Sequence, residues 1–237
     1  MTFRNTHQPK SINDLVFKDP NVEQTIRDYG AGKATKHLIL HGPVGSGKSS
    51  AAKMIVAERC GQPFDKLPNT TVNGRIEKDR KDWADIQRDW SFQPITNGSD
   101  RPYTIIDEVD ECSPKLRGQL DALIETDRKG TVIMTTNNLD KLDDWFRDRC
   151  AVVRVDLPSI SDVERRVQDI LRAEDLPCSS EDVQTLLTNF NGSLRQMIDW
   201  VEWHVRQSAP PSVGIAASSG RIIQPSSPNT SINGTSI

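Results

Sequence analysis

One eight-residue stretch constrains the fold of this 237-residue chain more than any other: residues 42–49 read GPVGSGKS and fit the pattern G-x-x-x-x-G-K-[ST]. A short apolar run, KHLILHG, precedes the stretch and is typical of a buried strand that ends at a glycine. A helical pattern follows over residues 49–61, with Gly61 at the position of a C-terminal stop. A strand, a glycine-rich turn and a helix in this order predict a phosphate-binding loop.

The residue types of this loop suit a nucleotide phosphate. Its glycines allow tight turns, so that backbone N–H groups can surround phosphate oxygens at a helix N-terminus. We expect Lys48 to meet the β- and γ-phosphates of ATP, and Ser49 to supply a hydroxyl ligand to Mg²⁺. The predicted nucleotide-binding residues of the loop are Gly42, Pro43, Val44, Gly45, Ser46, Gly47, Lys48, Ser49 and Ser50.

Apolar runs alternate with helical patterns over the first two thirds of the chain. The predicted strands are residues 36–42, 69–74, 103–107, 130–137 and 151–157, and the further predicted helices are residues 78–90 and 113–125, the latter with Ser113 as its cap. Strands that are apolar throughout and alternate with helices are typical of a parallel sheet covered on both faces. The sequence therefore predicts an α/β fold with a five-stranded parallel sheet.

After Pro158 the pattern becomes purely helical. The first helix is expected to open with Ser161 and Glu164 at capping-box spacing, and two more helices follow at residues 180–192 and 193–205. Three helices with short joints predict a small helical domain. The predicted domains are a nucleotide-binding core at 1–157, a helical lid at 158–206, and a disordered Ser-, Pro- and Gly-rich tail at 207–237.

The predicted strand YTIID ends in two carboxylates, Asp107 and Glu108. A carboxylate at the end of a second buried strand can hold the Mg²⁺ shell, and Asp107 is placed for this role. Glu108 follows directly, where it is the candidate general base that activates the attacking water. Asp110 and Glu111 extend the acidic run, and we expect them to lie in solvent at the end of the loop.

Two further polar residues are candidates for the same site. Asn137 follows an apolar strand at the edge where such sheets bind ligands, so its amide can hold the water or sense the γ-phosphate. The alternative is an ordinary turn, in which Asn is common. Arg195 lies in the first turn of the third lid helix, where a cation opposes the helix dipole. That position indicates a phosphate across the domain joint, with a solvated arginine as the alternative.

The composition excludes several other classes of protein. The net charge is −3, so any DNA-binding surface must be a local patch. No apolar run approaches the roughly 20 residues that span a bilayer, and the N-terminus does not resemble a signal peptide. The four cysteines form no CxxC pair, so we expect reduced thiols and no zinc site. These features are typical of a cytoplasmic protein without a membrane partner, whether associated with a nucleoid or encoded by a virus.

Taken in this order, the motifs resemble those of the AAA+ ATPases, and within them the small subunits of clamp loaders such as replication factor C and its phage counterparts. The resemblance covers roughly residues 8–206. It implies that Asn137 is the sensor 1 residue, that Arg195 is the sensor 2 residue, and that ATP and Mg²⁺ are bound. The RDRC sequence at 147–150 stands where the family has Ser-Arg-Cys, which makes Arg149 the arginine finger, a residue that acts on the ATP of a neighbouring subunit.

The resemblance also implies further roles and shows two departures. The segment at 11–26 would pack near the adenine, and Asn73 would restrain the catalytic glutamate until DNA binds. Asp148 replaces the family's serine, and pairing with Asp148 would restrain Arg149. Arg147 is expected to pair with Asp144 or Asp148, and the alternative is that both arginines are solvated. Clamp-loader subunits carry a third, all-helical collar domain, whereas this chain is expected to continue as a polar tail.

The implied partners are other subunits in a ring, identical or paralogous, together with a sliding clamp and primed duplex DNA. Candidate phosphate contacts are Lys78, Arg80, Lys81, Lys115 and Arg117, with a solvated helix face as the alternative. The predicted function is loading or remodelling of a DNA-replication complex. The alternatives are a helicase loader or other DNA-bound remodeller, and a slow nucleotide-gated assembly protein.

Overall fold

The computed structural model describes residues 2–67, 71–74, 88, 90, 101–126 and 130–208. The strands are β1 (Leu38–His41), β2 (Thr71–Asn73), β3 (Tyr103–Asp107), β4 (Thr131–Thr136) and β5 (Ala151–Arg154). The α-helices are α1 (Phe3–Thr6), α2 (Pro20–Gly30), α3 (Lys48–Cys60), α4 (Pro114–Thr126), α5 (Asp144–Asp148), α6 (Ile160–Ala173), α7 (Ser180–Leu186) and α8 (Leu194–Ser208). Short 3₁₀ turns lie at Ile12–Asp14, Phe64–Lys66, Val109–Glu111 and Leu139–Lys141.

The five strands form one parallel sheet in the order β2-β3-β4-β1-β5. The predicted α/β fold with a five-stranded parallel sheet is therefore confirmed. Successive side chains of a strand point to opposite faces, and in β1 Leu38 and Leu40 enter one apolar cluster while Ile39 enters the other. The first cluster is shared with α2 and α3 and the second with α4 and α5, so both faces of the sheet are covered.

Local signals at helix ends were predicted with mixed success. Gly61 ends α3 in the left-handed conformation (φ 62°), and the Ser113 hydroxyl accepts a hydrogen bond from the Leu116 N–H at the start of α4, both as predicted. The capping box predicted at Ser161 and Glu164 was wrong: Ser159 and Asp162 form it, two residues earlier. The two pairs have the same spacing, so local sequence spacing alone does not distinguish them.

Two other predicted helices differ from the structure in extent. The helix predicted at 180–192 ends at Leu186, whereas the last lid helix continues to Ser208. The helix predicted at 78–90 lies outside the described residues except for Arg88 and Trp90, which are helical. Trp90 is buried against β3, where its indole N–H donates a hydrogen bond to the Thr104 hydroxyl at 2.8 Å.

The helices α6–α8 enclose a third apolar cluster, separate from the two clusters of the sheet. Residues of the N-terminal segment (residues 2–17) also pack on this cluster, through Phe3 and Val16. Arg4 forms an ion pair with Asp199 of α8, with 2.6 Å between Nη2 and Oδ1. The separate cluster supports the predicted lid, yet the first residues of the predicted core contact that lid, and the domain boundaries stay a prediction.

Within the part of the chain that the structure describes, each helix is too short or too polar to cross a membrane. Most of the predicted tail, residues 209–237, lies outside the described residues.

Candidate nucleotide-binding site

The loop between β1 and α3 is shaped by its glycines. Gly42, Gly45 and Gly47 have φ values of 142°, 86° and 94°, a region that other residues rarely adopt. A Cβ atom at Gly42 would lie 2.3 Å from the carbonyl oxygen of Val155, and one at Gly45 would lie 2.4 Å from the hydroxyl of Ser193. The loop therefore turns tightly between β5 and the lid, and its backbone leads directly into the N-terminus of α3.

Lys48 lies inside this loop rather than in solvent. The side chain is buried, and Nζ donates hydrogen bonds to the carbonyl oxygens of Gly42 at 2.8 Å and Pro43 at 2.6 Å. Burial lowers the pKa of Lys48, and the nearby carboxylates, Asp107 foremost, oppose this effect. The loop thus holds an ammonium group at the position where the motif requires a phosphate contact.

Ser46 provides a second sign that the loop is built for a ligand. Its hydroxyl oxygen is buried and has no hydrogen-bond partner in the described part of the chain. A buried hydroxyl without a partner is unfavourable, and a phosphate oxygen would satisfy it. The residues of the loop therefore fit a bound phosphate chain.

The predicted Mg²⁺ ligands contact each other. The Ser49 hydroxyl donates a hydrogen bond to Oδ1 of Asp107 at 2.7 Å, although the two residues are 58 positions apart in the sequence. The Thr135 hydroxyl donates to the same oxygen. A hydroxyl and a carboxylate match the oxygen ligands that Mg²⁺ takes beside substrate phosphates, so this pair fits the ion.

Glu108 adopts an uncommon backbone conformation. Its φ of 57° lies in the left-handed region, which costs a non-glycine residue about 1 kcal/mol or more. The Glu108 N–H donates to the Thr135 hydroxyl at 3.1 Å, so Thr135 holds both carboxylate residues of the β3 end. Thr135 was missed from the sequence, where a threonine inside a strand carries no signal of its own.

A cavity of about 470 Å³ connects these residues with the lid. The phosphate loop, Asp107, Glu108, Asn137 and Arg195 all line it, with the last two exposed. The Leu194 N–H donates to the Gly45 carbonyl at 2.9 Å, which places the first turn of α8 on the loop. The structure thus brings Asn137 and Arg195, which are distant in the sequence, to one cavity.

The N-terminal segment also lines the cavity. Asp14–Phe17, which belong to the segment that the resemblance places near the adenine, line it, and so do Arg4 and His7–Pro9, which the sequence did not indicate. Arg166 of α6 was also missed, and it donates to the His7 carbonyl at 2.8 Å and lies 3.6 Å from Oδ1 of Asp14. The lid and this segment therefore close the cavity together.

Arg149 lies far from its own phosphate loop. The residue precedes β5, whose first residue is level with Leu38 at the start of β1, whereas the loop follows the end of β1. Four strand residues separate these two edges by about 13 Å. The guanidinium lies over the ring of Trp145, 3.7 Å from its centroid, and 3.7 Å from Oε1 of Glu125.

The observed contacts of Arg147 and Arg149 test the pairings that were predicted for them. Arg147 pairs with Asp144 in the same helix, as one of the two predictions had it. The prediction that Asp148 restrains Arg149 does not match the observed contacts: the guanidinium of Arg149 contacts Trp145 and Glu125, and the Asp148 carbonyl accepts a hydrogen bond from Lys36.

The remaining predicted positions have different surroundings. Asn73 is the last residue of β2 and is level with Asp107 of β3. Lys115 is exposed, whereas Arg117 donates hydrogen bonds to the backbone carbonyls of Asp110 and Lys141 at 3.0 and 3.4 Å. The candidate DNA contacts Lys78, Arg80 and Lys81 lie outside the described residues.

Asp110 corrects one expectation. The side chain was expected in solvent, but the residue is only 8% exposed, and its Oδ1 accepts a hydrogen bond from the Thr136 hydroxyl at 2.8 Å. Glu111, which is half-buried, forms an ion pair with Lys141 at 2.8 Å. The 3₁₀ turn Val109–Glu111 folds the acidic run back against β4, a contact that local sequence could not indicate.

Residues 38–157, half of the chain, match the AAA family, described as "ATPase family associated with various cellular activities". The chain belongs to this family. The AAA match begins at the first residue of β1 and continues past the end of β5, so it includes the phosphate loop, both acidic strand-end residues and Asn137.

Sequence relatives of this AAA protein include replication factor C small subunits, so the predicted resemblance is confirmed. The chain is 27% identical to replication factor C subunit 4 of Caenorhabditis elegans over 209 residues, which cover 84% of this chain and 61% of that protein. It is 24% identical to the replication factor C small subunit of Natronomonas pharaonis over 204 residues, which cover 83% and 60% of the two chains. The chain spans about 60% of the length of such relatives.

The AAA fold is also found in solved structures. The Thermotoga maritima RuvB Holliday junction branch migration motor matches with a TM-score of 0.62 at 17% identity, over 85% of this chain and 65% of that one. The structure of a RuvB point mutant from the same organism matches with a TM-score of 0.64, also at 17% identity, over 83% and 65% of the two chains. At this level of identity the likeness concerns the fold alone.

Proposed function

We propose that this chain is a Mg²⁺-dependent ATPase subunit of an oligomeric, clamp-loader-type assembly that loads or remodels a DNA-replication complex. The observation that carries the proposal is the single cavity in which a phosphate loop, a hydroxyl–carboxylate pair, a strand-end glutamate and a lid arginine meet. The replication factor C relatives support the clamp-loader assignment.

The residues of the cavity divide the chemistry of ATP hydrolysis between them. Lys48 and the N–H groups of the loop bind the phosphates, and Arg195 of the lid meets the γ-phosphate from the other side. Ser49 and Asp107 would hold Mg²⁺, which neutralises charge on the phosphate oxygens when bound. Glu108 accepts the proton of the attacking water, and Asn137 orients that water.

The hydrolysis step consumes one water and produces ADP and phosphate. The water oxygen bonds to the γ-phosphorus, the bond to the bridging oxygen breaks, and the water proton passes to Glu108. Negative charge spreads over the transferred phosphoryl group during this step, and cations at its periphery stabilise it. Lys48 and Arg195 are the cations of the same chain, and Arg149 is the cation that an adjacent subunit supplies.

Lys48→Ala should abolish binding of Mg·ATP while the fold remains. The residue lines the cavity, and its ammonium group is the phosphate contact, so its loss removes the main electrostatic attraction for the nucleotide. Lys33→Ala is the matched control, because Lys33 is exposed and outside the cavity. Calorimetric titration measures both affinities, and the melting temperature without nucleotide tests the fold. Equal affinity of the two variants would exclude the loop from ATP binding.

The DNA-replication role predicts stimulation of ATP turnover by two partners together. Primed duplex DNA and a sliding clamp together should raise the ATP turnover rate more than either does alone, since a clamp loader acts on both partners at once. Turnover is measured with neither partner, with each one and with both. Stimulation by DNA alone would instead identify a DNA-bound remodeller, and slow turnover under all four conditions a nucleotide-gated assembly protein.

A further inference from the structure

The 3₁₀ turn after β3 carries a buried carboxylate that the chemistry above does not use. Asp110 is 8% exposed and lies outside the lining of the cavity, so it does not contact the nucleotide. Burying a carboxylate is costly unless it is paired and hydrogen-bonded. Its oxygens have such partners: Oδ1 accepts from the Thr136 hydroxyl at 2.8 Å, and Oδ2 lies 3.6 Å from Nζ of Lys141.

The Thr136 hydroxyl forms two hydrogen bonds next to Asn137, the predicted sensor residue. It donates to Asp110, and it accepts a hydrogen bond from the Asn138 N–H at 2.9 Å. Asn137 lies between these two anchored residues. One hydroxyl group therefore fixes the backbone of the turn that presents Asn137 to the cavity, and Asp110 fixes that hydroxyl group.

The same contact reaches the predicted general base. Asp110 follows Glu108 by two residues, and Val109 between them is fully buried, so a shift of this packed turn would displace both residues. Arg117 braces the turn from α4 by donating to the Asp110 carbonyl at 3.0 Å and to the Lys141 carbonyl at 3.4 Å. The Asp110–Thr136 hydrogen bond thus joins the turn of Glu108 to the turn of Asn137.

We propose that Asp110 is a positioning residue for ATP hydrolysis, which sets the distance between Glu108 and Asn137 through the Thr136 hydroxyl. The inference rests on the proposed function, in which these two residues align the attacking water. A small displacement of either one is expected to slow the chemical step, because the geometry of the attacking group controls its rate. Binding of ATP is expected to persist, because the phosphate loop is not part of this contact.

The test compares two changes at Thr136, one that removes the hydroxyl and one that keeps it. Thr136→Val removes the hydroxyl and keeps the volume, and kcat should fall about 10- to 100-fold, the worth of a hydrogen bond to a charged group. KM and the Kd for Mg·ATP should stay within about threefold, because the lost contact does not touch the nucleotide. Thr136→Ser keeps the hydroxyl and should retain most of the activity, although it removes a buried methyl group.

A second pair of variants separates positioning from folding. Asp110→Asn keeps an acceptor oxygen and the volume, so it should lose less kcat than Asp110→Ala. The double variant Asp110→Ala, Thr136→Val should be no slower than the slower single variant, because both changes remove the same hydrogen bond. Unchanged affinity for Mg·ATP in each variant reports an intact fold at the site.

The outcomes distinguish this inference from the function on which it rests. Two results, each with a wild-type protein that hydrolyses ATP, would overturn the positioning role alone. One is a Thr136→Val variant with the wild-type kcat, and the other is a double variant whose loss of kcat is the product of the two single losses. Wild-type protein that binds ATP without hydrolysing it would overturn the proposed function, and the positioning role with it. Loss of kcat in Thr136→Val with recovery in Thr136→Ser supports the inference.

Discussion

Mixing two inactive variants, Lys48→Ala and Arg149→Ala, should restore ATP hydrolysis. Lys48→Ala lacks the ammonium group that binds the phosphates but retains its arginine. Arg149→Ala binds ATP but lacks the guanidinium that stabilises charge on the transferred phosphoryl group, an effect worth about 10³ to 10⁵ in rate for arginine fingers. Each variant alone should therefore be nearly inactive. Activity should appear at interfaces where the ATP of an Arg149→Ala subunit faces the intact Arg149 of a Lys48→Ala subunit.

The position of Arg149 supports the hypothesis that it acts on the ATP of a neighbouring subunit rather than on its own. The arginine precedes β5 at the amino-terminal edge of the sheet, about 13 Å from the edge that carries the phosphate loop. Trp145, which lies under the guanidinium, is 38% exposed, so the arginine is presented at the surface. In a head-to-tail ring, that surface can meet the cavity of a neighbouring copy.

The size of the recovery is set by how the subunits mix. In head-to-tail rings assembled at random from equal amounts of the two variants, roughly a quarter of the interfaces place an intact arginine beside a functional phosphate loop. ATP turnover of the mixture is the measurement, and the mass of the particle with a non-hydrolysable ATP analogue verifies that mixed oligomers form. The control is Arg147→Ala. Because Arg147 pairs with Asp144 inside α5, this variant should hydrolyse ATP at close to the wild-type rate.

Two results would contradict action between subunits. One is normal hydrolysis by Arg149→Ala alone, and the other is an inactive mixture in which mixed oligomers have been demonstrated.

Glu108→Gln should lower ATP turnover about 100-fold or more, in line with the effect of removing a positioned general base. Glutamine has nearly the same size and retains hydrogen-bonding capacity, but it cannot accept the proton of the attacking water. The backbone N–H of Glu108 still donates to Thr135 after the change, so the turn should keep its conformation. Affinity for Mg·ATP should hold, since the phosphates are bound by the loop and not by this side chain.

The acidic run offers a matched control for this prediction. Glu111→Gln removes a carboxylate three residues away, whose partner is Lys141 rather than the nucleotide. We expect its turnover to stay within a few-fold of the wild-type rate. Steady-state ATPase assays and nucleotide titrations compare the two variants. A Glu108→Gln protein that turns over normally would show that the glutamate is only one more acid of this loop.

Sequence alone determined the features that depend on neighbouring residues. The phosphate loop was predictable because glycine, lysine and serine at fixed spacing, between a strand and a helix, specify one backbone conformation. The parallel sheet was predictable because its strands are buried on both faces and therefore apolar throughout. The end of β3 followed in the same way, since a carboxylate cannot continue a buried strand, and Asp107 lies at that end.

The tertiary structure alone decided which distant residues meet. Thr135, Thr136 and Arg166 carry no local signal, because a hydroxyl or a guanidinium becomes part of a site only when folding places a partner beside it. Asp110 shows the reverse: an acidic run is typical of a solvated loop, yet a 3₁₀ turn buries this carboxylate against a strand that is distant in the sequence.

The start of α6 and the edge of the sheet occupied by Arg149 were likewise set by packing. Ser159 and Ser161 offer the same capping chemistry, but the helix begins at Ile160, which packs on the lid cluster, so Ser159 is the cap. The sequence places Arg149 before β5, but only the pairing of β5 with β1 shows that it lies opposite its own phosphate loop. Such contacts join residues that are far apart in the chain, and their free energy comes from burial and pairing across the fold, which no local spacing encodes.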